Sequence, residues 1–131
     1  MTHLVSFDRF TLNDGSPIYL QIIRHIKQGI VAGTVADGDE MPSRRMLSAL
    51  LGVNPNTVQK AYHLLEEEGL VYSRSGAKSY ISLTEERIDS VKQEMVSGVV
   101  RELVGTMKRM GVSYEEAEVL LRQLWKEETA T

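Results

Sequence analysis

Apolar residues recur at helical spacing along most of this chain, and the interruptions between them mark its elements. Ile18, Ile22, Ile26 and Ile30, joined by Tyr19 and Ile23, make one face of a first helix. Ser16 is expected to cap it, Pro17 to occupy its first position, and Gly33 to stop it. Ala36 to Glu40 reads as a turn. A second helix follows, capped by Ser43, with Met46, Leu47, Leu50 and Leu51 expected to face inward and Gly52 to end it. A third starts near Asn54 or Pro55 and runs to Gly69. Its Val58, Ala61, Tyr62 and Leu65 fall at i, i+3, i+4 and i+7, which is a core face.

The period then changes. Leu70 to Ser73 and Ser79 to Leu83 read as two strands, with Ser75-Gly76-Ala77-Lys78 as the turn between them. Helical spacing returns at Thr84, a candidate cap. Ile88, Val91, Met95, Val99, Leu103, Met107 and Met110 recur every three or four residues, beside a second row of Val96, Val100 and Val104. Gly111 interrupts this helix. Ser113-x-x-Glu116 is a capping box for a last helix carrying Ala117, Leu120, Leu121, Leu124 and Trp125.

The order helix, helix, turn, helix, hairpin is that of a winged helix-turn-helix. The expected class is therefore mainly α. Residues 1–83 form the winged domain and residues 84–131 a two-helix hairpin. Such a hairpin is too small to fold well alone, and its apolar stripe is wider than one short helix can cover. A second surface must bury it. The expected interface residues are Val91, Met95, Val99, Leu103, Met107, Leu120 and Leu124.

Charge changes this picture by its distribution. The formal net charge is −3. Residues 1–83 carry eight basic and eight acidic side chains, and residues 84–131 carry seven and ten, so the excess acid lies in the tail. From Met41 to Leu65 there is no carboxylate side chain at all. A surface that approaches the dense phosphate charge of DNA has this requirement. Cysteine is absent, which removes disulfides, thiol catalysis and thiolate metal sites. No apolar run reaches the roughly 18 residues of a membrane span, and the N-terminus lacks the pattern of a signal peptide. A cytoplasmic protein is expected.

The residues of the carboxylate-free segment suit a DNA groove. On the third helix, at about 100° per residue, Asn56, Gln59, Lys60 and His63 lie opposite the core face. Glutamine can pair with adenine, and lysine with guanine or phosphate. Asn54, Pro55, Asn56 and Thr57 open that helix, where backbone N–H groups attract phosphate. Asn54 or Asn56 can serve as the cap and still lie nearest the DNA. Ser43, Arg44 and Arg45 open the second helix. A guanidinium there can grip a phosphate or a guanine edge bidentately, or pair with a glutamate instead. Arg74, Gly76 and Lys78 belong to the hairpin, a candidate wing. His63 is expected to be exposed, Tyr62 to pack with a polar tip, and Glu66-Glu67-Glu68 to be a solvated helix end.

Enzyme chemistry finds little support. His3, His25 and His63 are scattered, no His/carboxylate cluster has metal spacing, and no glycine-rich phosphate loop precedes a helix. No cofactor is expected. Nothing marks a pocket for a small-molecule effector, although a dimer interface could hide one. The competing reading is a winged helix that contacts proteins rather than specific DNA.

Several runs together resemble a known family: Pro17-Ile18-Tyr19-Leu20-Gln21-Ile22; Met41-Pro42-Ser43-x-Arg45-x-Leu47; Val53-Asn54-Pro55-Asn56-Thr57-Val58-x-Lys60-Ala61-Tyr62; and Leu65-Glu66-x-x-Gly69-Leu70-Val71. The chain resembles the GntR family of bacterial transcription regulators over residues 17–83, and its short tail looks like that of the YtrA-like subfamily. The resemblance implies a homodimer on an inverted-repeat operator in double-stranded DNA, often as a repressor, with DNA contacts from Arg45, the start of the third helix and the wing. One residue departs from the pattern: Lys78 stands where the family's wing has a second glycine.

Overall fold

The structure, a computed structural model, describes residues 3–74 and 78–130, with side chains to residue 128. Its contacts divide the chain into two units, Met1–Gln93 and Glu94–Thr131.

In the first unit, α1 (Ile18–Ala32) buries Ile22, Ile23, Ile26 and Ile30. It ends at Gly33, whose φ of 84° places it in the left-handed region that favours glycine. The start differs from expectation by one residue. Pro17 is the cap position and no side chain caps the helix. Ser16 contributes its carbonyl instead, accepting from Gln21 Nε2 at 2.7 Å. Gln21 is 5% exposed and grips the preceding loop, accepting from Asn13 N–H at 3.0 Å and donating to the Asn13 carbonyl at 2.8 Å.

Helix α2 (Arg44–Leu51) is capped by Ser43, whose Oγ accepts from Met46 N–H at 3.0 Å. Gly52 ends it. Its inward face is not the expected one. Leu47 and Ser48 are buried, whereas Met46 is 54% and Leu50 63% exposed. The helix wheel gives the reason. At about 100° per residue, Leu51 and Ser48 lie on one side of Leu47, and Met46 and Leu50 lie on the other. The Ser48 hydroxyl donates to the Val53 carbonyl at 2.6 Å, so a serine closes the buried face that a second leucine was expected to fill.

Helix α3 (Pro55–Glu67) buries Val58, Ala61, Tyr62 and Leu65, all four expected core positions. It packs on both α1 and α2. Strands β1 (Val71–Ser73) and β2 (Ser79–Ile81) pair antiparallel in the register Val71↔Ile81, Tyr72↔Tyr80, Ser73↔Ser79. Val71, Ser79 and Ile81 are buried, and Tyr72 and Tyr80 pair on the other face with ring centroids 5.7 Å apart.

Two one-residue bridges widen this sheet, Glu40↔Tyr80 and Leu4↔Glu40. Through them the N-terminal segment joins the core, with Val5 and Phe7 buried.

Helix α4 (Glu85–Arg109) begins within the first unit, where Thr84 Oγ1 accepts from Arg87 N–H and Val91 is buried. In the second unit the rest of α4 is followed by a turn at Gly111 and by α5 (Tyr114–Ala130). The expected capping box is present: Glu116 N–H donates to Ser113 Oγ at 3.2 Å, and Ser113 N–H to Glu116 Oε1 at 3.3 Å. Among the described residues beyond Val91, none is buried. Val99 is 68% and Trp125 71% exposed.

Candidate nucleic-acid interface

The start of α3 is organised by Asn54. Its Oδ1 accepts from Asn56 N–H at 2.8 Å, which leaves Pro55 at the first helical position with no N–H to satisfy. Asn54, Pro55, Asn56, Gln59, Lys60 and His63 are exposed, and Thr57 is half-buried against the core side. Among the described residues, the Asn56 and Gln59 side chains have no hydrogen-bond partner, so their amides are free to pair outward.

Lys60 is not free in this sense. Its Nζ lies 4.0 Å from the centre of the Tyr19 ring on α1, a cation–π contact. The lysine is thereby steered toward the seam between α1 and α3. Tyr19 belongs to this surface although its sequence position marked it only as part of an apolar stripe.

The two arginines of α2 differ. Arg45 is exposed, without an ion pair or hydrogen bond among the described residues. Arg44 turns inward. Its Nη2 donates to Glu66 Oε1 at 3.1 Å, its guanidinium sits 5.2 Å from the Tyr62 ring centre, and its Nε is buried without a partner among the described residues. The alternative of pairing with a glutamate is therefore realised at Arg44. Glu66 also accepts from Ser73 Oγ at 3.0 Å, so one carboxylate ties α2 and β1 to α3.

The glutamate run is not simply a solvated end. Glu66 holds Arg44, Glu67 lies 2.9 Å from His63 Nε2, and Glu68 lies 2.9 Å from the Nζ of buried Lys27. Glu66 and Glu68 thus pair with cations and Glu67 with an imidazole, while the Glu67 side chain stays 60% exposed. Buried Tyr62 donates from its hydroxyl to the Pro42 carbonyl at 2.5 Å, and burial pushes its pKa far above the ordinary phenol range. That bond holds the residue before Ser43 against α3.

On the hairpin, Arg74 and Lys78 are exposed and joined by a backbone bond, Arg74 N–H to Lys78 carbonyl, at 2.9 Å. The Arg74 guanidinium lies 5.4 Å and 5.9 Å from the Tyr80 and Tyr72 ring centres. The turn residues Ser75, Gly76 and Ala77, and with them the expected contact at Gly76, lie outside the described residues. Among the described residues no group of three acidic, histidine or cysteine side chains could hold a metal ion, and no helix is long and apolar enough to cross a membrane.

Of the expected interface residues in the tail, Val91 is already buried inside the first unit. Met95 and Met107 are half-buried, and Val99, Leu103, Leu120 and Leu124 are exposed.

The sequence model of bacterial regulatory proteins of the gntR family matches residues 18–81. The chain is 36% identical over 100 residues to the uncharacterized HTH-type transcriptional regulator YhcF of Bacillus subtilis (strain 168), covering 76% of this chain and 83% of that one. It is 35% identical over 109 residues to the HTH-type transcriptional repressor YtrA of the same organism, covering 83% and 79%. A solved GntR family transcriptional regulator from Listeria monocytogenes superposes with a TM-score of 0.76 at 31% identity, covering 86% of this chain and 98% of that chain.

Proposed function

The chain belongs to the GntR family of bacterial regulatory proteins, DNA-binding winged helix-turn-helix regulators, and from that premise we propose that it is a repressor binding an inverted-repeat operator as a homodimer. The observation that carries the DNA reading is the outer surface of α2 and α3. It presents Arg45, Asn56 and Gln59, all without partners among the described residues, on a segment with no carboxylate side chain from Met41 to Leu65.

In this reading Gln59 and Asn56 address base edges in the major groove. Ser43, Arg45, the Asn54–Thr57 turn and Lys60 grip backbone phosphate, and Arg74 and Lys78 of the wing meet the flanking strand. Arg44 acts indirectly, through its hold on Glu66. The repressor role follows the YtrA relative.

The dimer reading rests on the tail. Residues 94–130 offer Val99, Leu103, Leu120 and Leu124 to solvent and have no buried residue of their own among those described. An apolar surface of that extent marks an interaction site, and two-fold pairing is the commonest solution. Paired tails present two recognition helices to half-sites about one DNA turn apart.

The test is a selection of bound sequences from random duplexes, followed by binding measurements over a range of salt. A regulator enriches a two-fold symmetric site and loses affinity steeply as salt rises. A protein-binding winged helix without specific DNA recognition enriches nothing. Small-molecule effectors added to the same assay would reveal any ligand control.

A further inference from the structure

Between the N-terminal segment and α1 lies a cavity of about 260 Å³ with an unusual charge balance. Arg9 and Arg24 line it together with Phe10, His25, Gln28 and the loop at Asn13, and among the described residues no carboxylate lines it. Neither arginine has an ion pair or hydrogen bond among the described residues. Asp8 lines an adjoining cavity shared with Arg9, His25 and Gln28, and Asp14 follows the lining residue Asn13 in the chain.

The walls are fixed from within. Buried Gln21 holds the Asn13 backbone by both its N–H and its carbonyl. Asn13 Oδ1 in turn accepts from Gly15 N–H at 2.8 Å. His25 Nε2 bonds the Ser6 carbonyl at 2.8 Å, and the His25 ring packs against Phe7 and Phe10 with centroids 4.5 and 5.2 Å away. Among the lining groups without a partner among the described residues are the two guanidiniums, the Thr11 hydroxyl and the amide of Gln28, donors for an anion with several oxygens. Arg24 and Gln28 lie on the side of α1 opposite its buried isoleucine stripe, whereas Tyr19, which meets Lys60 of α3, lies within that stripe. The cavity is therefore separate from the recognition surface.

We propose that this cavity is a binding site for a phosphate group, gripped by Arg9 and Arg24 with Gln28 as a further donor. Two sources share that chemistry: a free phosphorylated small molecule, or a backbone phosphate of DNA beyond the operator half-site. The first source is independent of the DNA reading above.

Calorimetric titration of the full chain with pyrophosphate tests the first source. The expected result is saturable binding that weakens at least tenfold in the Arg9→Gln/Arg24→Gln double variant and is partly kept in Arg9→Lys/Arg24→Lys. Both arginines are exposed, so the urea midpoint of either variant should match that of the wild type. Anisotropy with short and flank-extended duplexes of the selected operator tests the second. There the Gln variant loses affinity, and flattens the salt dependence, for the extended duplex alone. Either pattern supports the site and names its source. The proposal fails if pyrophosphate gives no saturable heat and both duplexes bind the two proteins equally. It also fails if pyrophosphate binding is unchanged in the double variant while both duplexes again bind the two proteins equally.

Discussion

The Arg44 guanidinium meets the Glu66 carboxylate at 3.1 Å, across 22 residues of sequence, and both side chains are about two-thirds shielded from solvent. Glu66 uses the same oxygen to accept from Ser73. One carboxylate thus closes the angle between α2 and α3 and holds the root of the hairpin. It also keeps a cation of the carboxylate-free segment turned inward. Glu66→Ala should lower stability by about 1–3 kcal/mol, because it removes the partner of two donors and leaves a guanidinium whose Nε already lacks one. Freed from Glu66, Arg44 can reach phosphate. The salt dependence of operator binding should then steepen by about one ion per protomer. An unchanged slope would restrict Glu66 to a role in folding.

Tyr62 offers a second test of the same joint. Tyr62→Phe leaves the Pro42 carbonyl without its donor, at a cost of about 1–3 kcal/mol in urea unfolding. Because burial raises the folded-state pKa, the native protein holds this proton more tightly than the unfolded chain does. The stabilisation is complete below the unfolded value near 10 and declines as pH rises above it. Unfolding curves between pH 9 and 11 should show a decline in the wild type that is smaller in Tyr62→Phe.

The recognition surface can be tested by dividing specificity from affinity. Gln59→Ala should relax preference at one base pair in each half-site, at about 1–3 kcal/mol if its contact is bidentate. Arg45→Ala should weaken binding to all sequences and flatten the salt slope. Unchanged operator affinity in both variants would remove α2 and α3 from the interface.

How much of this was legible in the sequence depended on range. Local signals read well. Ser43, Asn54 and the Ser113/Glu116 pair make the caps their positions announced. The wheel of α3 was right at all four buried positions, because a helix of 13 residues has enough turns to define a face. On α2, with eight residues, the face was misjudged, and Met46 and Leu50 lie outside. Long-range pairings left no pattern to read. Nothing in the spacing joins Arg44 to Glu66, Lys60 to Tyr19, or Leu4 to Glu40. The buried Gln21 was equally hidden, since its partners are backbone atoms of a loop.

The wing should contribute affinity rather than register. Lys78→Glu places like charge beside phosphate and should weaken operator binding most at low salt, where screening is least. The exposed Lys78 side chain has no partner among the described residues, so the substitution should leave thermal stability unchanged. Wild-type affinity at low salt in the variant would show that the hairpin does not touch DNA.

The tail is the most consequential test, because it asks whether two weak half-site contacts act as one. Leu103 is exposed in the single chain, within the apolar row that includes Val99 and Met107 on α4. Burying a glutamate at that position in a paired interface leaves a charge without a partner, which a dimer tolerates poorly. Leu103→Glu should shift the protein toward monomer in sedimentation at micromolar concentration. Operator affinity should then fall by far more than one lost contact explains, since the second half-site no longer binds at high effective concentration. The winged unit should stay folded, because its core of Ile22, Leu47, Val58 and Leu65 lies in the first unit, and its helices should remain visible by circular dichroism. A wild-type monomer at these concentrations, or a Leu103→Glu protein that stays dimeric and binds its operator fully, would place the dimer interface elsewhere.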